Sequence, residues 1–228
     1  MMFNSGRFCK IDEERERMIS AQEALIRLKE GNTRFVTNVS SDYPGDINSK
    51  RPELVEIQAP FAIVLGCSDA RVPAELIFDQ GLGDLFVIRV AGNIVAPSGI
   101  GSIEFAALNF GTPLVIVLGH SGCGAITATI EVLSGRSEIP SHNLHSIVKR
   151  IRPSVETLLS TELRNNQKDL VKHCVRANVR SSVEHISSGS PILEELIGNG
   201  RLMVVGAEYS LETGGVDFFY DNHVGDFL

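Results

Sequence analysis

The chain has 228 residues, of which 43% are hydrophobic and 21% charged, a balance that allows a substantial buried core without structural staples. Its net charge of −7 excludes the basic footprint that nucleic acid or an anionic membrane surface would need. Lys149, Arg150 and Arg152 form the densest basic cluster, but they sit in a helical pattern and read as a solvated face.

In chain order, residues 12 to 36 carry Met18, Ala21, Leu25 and Leu28 at helical spacing, with Gly31-Asn32 as the expected stop. This amphipathic helix must bury its apolar stripe, and a neighbouring subunit is one place for it. A polar connection, Asn38 to Pro52, follows. Four short runs rich in β-branched residues then appear: Phe61 to Gly66, Leu85 to Val90, Leu114 to Gly119 and Leu202 to Gly206. Their apolarity is continuous, as expected of parallel strands buried on both faces. Helical patterns lie between them at Pro73 to Phe78, Ser102 to Phe110 and Gly124 to Leu133. At least two more helices occupy Leu144 to Ile197, interrupted around Ser187 to Pro191. After the turn Thr213-Gly214-Gly215, Val216 to Tyr220 reads as an edge strand antiparallel to the fourth.

The expected fold is therefore α/β: a mainly parallel central sheet of four parallel strands plus an antiparallel edge strand, flanked by helices. One domain over 1–228 accounts for this, with an N-terminal helical arm and connection over about 1–52 and an α/β core over about 53–228. No run approaches the roughly 18 apolar residues of a membrane span, and the first residues lack an apolar signal core. A cytoplasmic setting is expected. Four cysteines in a chain of this length do not make a disulfide scaffold; grouped with histidine, they suggest metal ligands or catalytic thiols.

The chemistry-bearing residues follow two strands. The first strand leads into Cys67-Ser68-Asp69-Ala70-Arg71, the third into His120-Ser121-Gly122-Cys123. Ligand sites of open parallel sheets form beyond the carboxyl ends of the strands, so these distant segments can converge. Two thiolates and an imidazole suit zinc, and three protein ligands leave the fourth position that marks a catalytic ion. Two thiolates also neutralise the ion's formal charge, which raises the value of an outer hydrogen-bond acceptor. Asp69 lies two residues past Cys67 and can fill that role. Arg71, two further on, can pair with it and keep it ionised.

Cys67-x-Asp69-x-Arg71 followed by His120-x-x-Cys123 resembles the signature of the β-class carbonic anhydrases. The similarity extends through AELIFDQGLGDLFVIRVAGN, SIEFAALNFGTPLVIVLGHSGCGA, GAEYSLETGGV and the N-terminal ALIRLKEGNTRFV. The resemblance implies reversible hydration of CO₂ to bicarbonate and a proton through zinc-bound hydroxide. It also implies one zinc ion per subunit on Cys67, His120 and Cys123, an Asp69–Arg71 dyad, and a homodimer or homotetramer. Asp69 becomes a fourth ligand in the closed form that some members adopt. Ile94, Val95 and Phe105 match segments that line the CO₂ pocket, some of them crossing from the other subunit. One departure stands out. Members with an inhibitory bicarbonate pocket build it from a Trp, an Arg and a Tyr; Arg89 and Tyr209 match two positions, but the third is Val64 and the chain has no Trp. That pocket is expected to be absent or weak.

Other readings are available. A catalytically silent zinc or bicarbonate-sensing module would keep the ligands, although an intact Asp69–Arg71 pair counts against it. The same scaffold acting on another small heterocumulene, such as CS₂, would differ only in its access route. His142 and His145 form H-x-x-H without a nearby cysteine or carboxylate and read as surface histidines, one of which could shuttle protons. Cys9 and Cys174 have no supporting context. The Gly119 to Gly124 segment lacks phosphate-loop spacing and lysine, which argues against nucleotide binding.

Overall fold

The computed structural model describes residues 19–39, 53–55 and 58–221. Five strands, β1 (Ala62–Gly66), β2 (Leu85–Arg89), β3 (Leu114–His120), β4 (Met203–Tyr209) and β5 (Val216–Asp221), form one sheet. The order across it is β2-β1-β3-β4-β5. β1 runs parallel to β2 and β3, and β3 runs parallel to β4, while β5 closes the far edge antiparallel to β4. This is the sheet expected from the apolar runs.

Continuous apolarity along β1, β3 and β4 follows from covering both faces. Ala62 and Val64 of β1, Leu114, Ile116 and Leu118 of β3, and Met203 and Val205 of β4 pack on one side. Ile63 and Leu65, Val115 and Val117, and Val204 pack on the other. Successive strand residues alternate faces, so neither set can be polar.

Seven α-helices complete the described chain: α1 (Ala21–Thr37), α2 (Ala74–Ile77), α3 (Pro97–Asn109), α4 (Gly124–Leu133), α5 (His142–Leu159), α6 (Gln167–Ser188) and α7 (Pro191–Gly198). α1 and α2 cover the first face, where Ala24, Leu25, Leu28 and Ile77 join the core. The other helices cover the second. α1 thus buries its stripe against its own sheet rather than waiting for a neighbouring subunit, as its spacing had left open.

The bounds of α1 also differ from the sequence reading, at both ends. Residues 12–18 of the expected helix lie outside the described residues. Ser20 is extended and caps α1: its Oγ accepts from Glu23 N–H at 3.2 Å, and Glu23 Oε2 accepts from Ser20 N–H at 2.7 Å. Gly31-Asn32 does not stop the helix, which continues to Thr37 and ends at left-handed Asn38. Gly31 is present because α1 passes against the end of α2; a Cβ there would sit 1.8 Å from the Phe78 carbonyl oxygen. Asn32 is a buried bracket. Its Nδ2 donates to the Ile77 and Gly214 carbonyls, and its Oδ1 accepts from Val216 N–H, joining α1, α2 and β5.

Smaller shifts have local causes. α3 starts at Pro97, five residues before the expected Ser102, because the glycines that resemble a loop follow a proline suited to a first turn. Pro73 is the N-cap of α2 rather than part of its first turn. β4 extends to Tyr209 because β5 pairs along it.

Alanine at position 31 should gain helix propensity yet lose stability, since the added methyl meets backbone rather than a flexible side chain. Gly31→Ala is expected to destabilise the fold by about 1–3 kcal/mol, the range for overpacking. Urea unfolding checks this, and an unchanged or raised midpoint would show that α1 can move away.

Candidate metal centre and active site

The site is assembled by parallel pairing. β1 and β3 are neighbours with Gly66 opposite Leu118, so both chains leave the sheet side by side. Cys67 is the first residue beyond β1, His120 the last of β3, and Cys123 the N-cap of α4. Their ligand atoms all lie within 4.8 Å of one another, and the three residues are buried. The sequence-predicted trio is therefore brought together.

The histidine shows what the cluster lacks. His120 is fully buried, and its Nδ1 lies 3.0 Å from the Ser121 carbonyl, which requires the Nδ1–H tautomer. Nε2 is then a bare lone pair with no hydrogen-bond partner. A buried, unsatisfied polar atom costs about 1–3 kcal/mol. Two sulfurs and one imidazole nitrogen around a shared point suit a borderline-soft divalent cation, which would use that lone pair.

The electrostatics agree. A hydrogen bond from Cys123 draws the Cys67 thiol far below its ordinary range, with further help from His120 and the Gly92 N–H. That bond to Cys67, together with burial, drives Cys123 upward, opposed by the Ile126 and Ala125 N–H groups at the start of α4. Burial pulls His120 down, but the charge of the nearby Cys67 sulfur more than reverses this, so a proton and a cation compete for Nε2. Cys67 is thus the readier of the two thiols to ionise, and a divalent cation would displace protons from the pair.

Asp69 and Arg71 sit at the rim. Arg71 Nε donates to Asp69 Oδ1 at 2.9 Å, Nη2 donates to Oδ2 at 2.8 Å, and Arg71 N–H adds a third bond to Oδ1 at 3.0 Å. These bonds hold the Asp69 carboxyl well below the usual carboxylate range. Asp69 Oδ2 lies 3.8 Å from His120 Nε2, so the carboxylate faces the cluster without entering it. Arg89 braces the loop from below, donating to the Cys67 carbonyl at 3.0 Å and to the Asp69 carbonyl at 2.6 Å.

The histidine loop is clasped to the turn between β4 and β5. Ser121 N–H donates to the Tyr209 carbonyl, Ser121 Oγ accepts from Leu211 N–H, and Ser121 Oγ–H donates to Glu212, each at 2.9 Å. Sequence alone did not mark Glu212. A surface acid 91 residues from its partner gives no local signal.

Of the expected pocket residues, Ile94 and Val95 border one cavity, and Phe105 lies apart from it in this chain. Ile94 is buried in the apolar cluster that holds Cys67 and Cys123, together with Ile126 and Ile151. Val95, equally buried, belongs to the cluster beneath the sheet. Phe105 is 50% exposed on α3, its ring edge-on to Phe110 at 5.6 Å and tilted against Phe86 at 6.4 Å. Within one chain it does not join the other two. Val64 is fully buried, with Tyr209 in the same apolar cluster, while Arg89 is engaged by loop carbonyls. His142 and His145 stack on the surface with centroids 6.4 Å apart and lie outside the metal-type cluster. Cys174 is buried and its thiol pushed up to about 11. Cys9 lies outside the described residues.

Comparison with known proteins bears on this geometry. Residues 62–216 match the family model described as carbonic anhydrase. A carbonic anhydrase of Mycolicibacterium smegmatis is 37% identical over 199 residues, 87% of this chain and 92% of the relative. Carbonic anhydrase 2 of Mycobacterium tuberculosis is 38% identical over 187 residues, 82% of this chain and 87% of the relative. Among solved structures, the β-carbonic anhydrase CcaA superposes with a TM-score of 0.68 at 27% identity, covering 88% of this chain and 93% of its own. One of two tetrameric β-carbonic anhydrases from Sordaria macrospora gives 0.65 at 25% identity, covering 78% and 89%.

If the cluster is a metal centre, the purified chain should carry close to one zinc ion, and Cys67→Ser, His120→Asn and Cys123→Ser should each lose most of it. Elemental analysis of folded samples decides; full metal content in all three would remove the ligand set.

Proposed function

This chain belongs to the β-carbonic anhydrase family, and from that premise we propose that Cys67, His120 and Cys123 hold the zinc ion of a CO₂ hydratase whose Asp69–Arg71 pair orients the attacking water. The observation that carries this reading is the bare Nε2 of buried His120, which faces two buried thiols and lies 3.8 Å from an ionised carboxylate. When bound there, zinc supplies the Lewis acidity that makes water a nucleophile near neutral pH.

The chain's own residues do the rest. Asp69 Oδ2 accepts a hydrogen bond from the attacking water and turns its lone pair toward the substrate. Because Arg71 donates to both carboxylate oxygens, Asp69 stays ionised and cannot take up the proton it orients. With its folded value depressed, Asp69 is charged throughout neutral and alkaline pH and protonates only at strongly acid pH. This Arg71-bound arrangement fits an open form; Asp69 would give up bonds to Arg71 to become a fourth ligand. Ile94, with Ile126 and Ile151 beside the cysteines, supplies an apolar wall suited to a substrate with no charge and little polarity. An intact dyad counts against a catalytically silent sensing module. Buried Val64 and the committed Arg89 support the absence of a separate bicarbonate pocket.

The assembly is read as a homodimer or homotetramer. β2 is an edge strand whose side chains are only partly buried, and beside it Phe105 and Leu108 of α3 stand 50% and 43% exposed. A half-exposed aromatic cluster at a sheet edge favours burial by a second copy, which would also let Phe105 reach the partner's pocket. CO₂ and bicarbonate are the small-molecule partners. Among the described residues no helix is long and apolar enough to cross a membrane.

Asp69→Asn is expected to keep its zinc and lose CO₂ hydration by about 100-fold or more, the scale of a positioned acid–base group. Stopped-flow hydration alongside metal analysis tests this; normal turnover would make the carboxylate merely structural. Phe105→Asp should convert the native oligomer to smaller species by light scattering, and an unchanged mass would place the interface elsewhere.

A further inference from the structure

The cysteine that leaves β1 is held by more than its own loop. Cys67 Sγ accepts a hydrogen bond from Gly92 N–H at 3.3 Å, within the short turn Ala91–Asn93 that follows β2. Gly92 is left-handed, with φ 70° and ψ 21°, and leaves no room for a side chain. A Cβ there would lie 2.8 Å from Ile151 Cδ1 and 3.1 Å from Ala125 Cβ. The direction of this N–H therefore depends on what keeps one glycine in a conformation that glycine can readily leave.

The residue that does so comes from a remote helix. Asn178 of α6, 3% exposed, donates from Nδ2 to the Gly92 carbonyl at 2.9 Å. One turn further along α6, Ser182 Oγ reaches the next carbonyl, Asn93, at 3.3 Å. The carbonyl and the N–H of Gly92 are thus both engaged, one by α6 and the other by the sulfur. With both of its peptide planes held, Gly92 has little freedom left in φ and ψ; releasing the carbonyl frees ψ and lets the turn that aims the N–H relax.

We propose that Asn178 is a positioning residue for the metal centre: by holding the Gly92 carbonyl it keeps the Gly92 N–H aimed at Cys67 Sγ, and so tunes the sulfur that this site offers its metal. A hydrogen bond to a metal-bound thiolate withdraws electron density from sulfur, weakens its donation and leaves the ion a stronger Lewis acid. It also anchors the sulfur against release. Asn178 touches neither the sulfur nor any reacting atom, and its effect passes entirely through Gly92.

This inference rests on the metal-centre reading, and the test keeps the two apart. The cobalt(II)-loaded full-length protein is compared with Asn178→Leu, which keeps the size and removes the donor without adding charge, and with Ser182→Ala, which releases the same turn at a different carbonyl. Two readouts are taken: the sulfur-to-cobalt charge-transfer band, and the rate at which the zinc form loses its metal to a chelator. The expected result is a shifted band and metal loss about 10-fold faster in Asn178→Leu, at the lower end of outer-shell effects, with a smaller change in Ser182→Ala. A band and a release rate identical to wild type would overturn the proposal, even if the variant unfolds at lower denaturant, because Asn178 would then only satisfy a buried carbonyl. Equal changes in both variants would also overturn it, pointing to general loosening of the turn. If Asn178→Leu does not fold, Asn178→Ser, whose hydroxyl is too short to reach Gly92, is read by the same criteria. A wild-type protein that takes up neither cobalt nor zinc would instead sink the metal-centre reading itself.

Discussion

The structure depends on one adjacency: β1 and β3 lie side by side and point the same way. Parallel pairing brings two chain segments out of the sheet at the same edge, one carrying Cys67 and the other His120, with Cys123 a single turn later. Had the strands been antiparallel, the two loops would emerge at opposite ends, about 17 Å apart for strands of five residues. Parallel pairing in turn requires covered crossovers, and the helices on both faces provide them.

Around that edge the protein places polar atoms it does not otherwise satisfy. His120 Nε2 has no partner, and the two thiols ionise unequally. Ile94, Ile126 and Ile151 form an apolar shell around the two cysteines. On the proposed metal-centre reading, binding a cation would offset the cost of the unpartnered nitrogen, which would link metal occupancy to folding. A few ångströms outward the environment changes. Asp69 and Arg71 form a hydrogen-bonded, partly solvated pair whose charge is secure, which suits the proposed role of Asp69 as an acceptor for water. Adjacent dry and wet zones assign different tasks to residues two positions apart.

The loops themselves are irregular, and their precision comes from remote supports. Arg89 of β2 holds the Cys67 and Asp69 carbonyls, the β4–β5 turn clasps Ser121, and Asn178 of α6 grips Gly92. Each support comes from a different element, so the ligand geometry reports the packing of most of the domain. Asn32 plays a comparable part on the opposite face, where one buried amide ties α1 to α2 and β5.

Much of this was legible in the sequence, for a physical reason. Strands buried on both faces must be continuously apolar, so the FAIVLG, LFVIRV and PLVIVLG runs announce a parallel sheet. Two thiols and an imidazole just beyond parallel strand ends form a metal-type donor set, so Cys67, His120 and Cys123 stand out in the sequence. Asp69 and Arg71 are equally visible because their pairing is local. Tertiary structure alone decided what depends on close approach and long-range hydrogen bonds. Gly31-Asn32 looks like a helix stop, but Phe78 passing against α1 makes it a packing notch and a bracket. Phe105 shares a segment-level likeness with Ile94 and Val95, yet helix orientation turns it outward. Gly92, Asn178 and Glu212 carry no local pattern at all, since a single hydrogen bond between residues 86 or 91 positions apart leaves no periodicity to read.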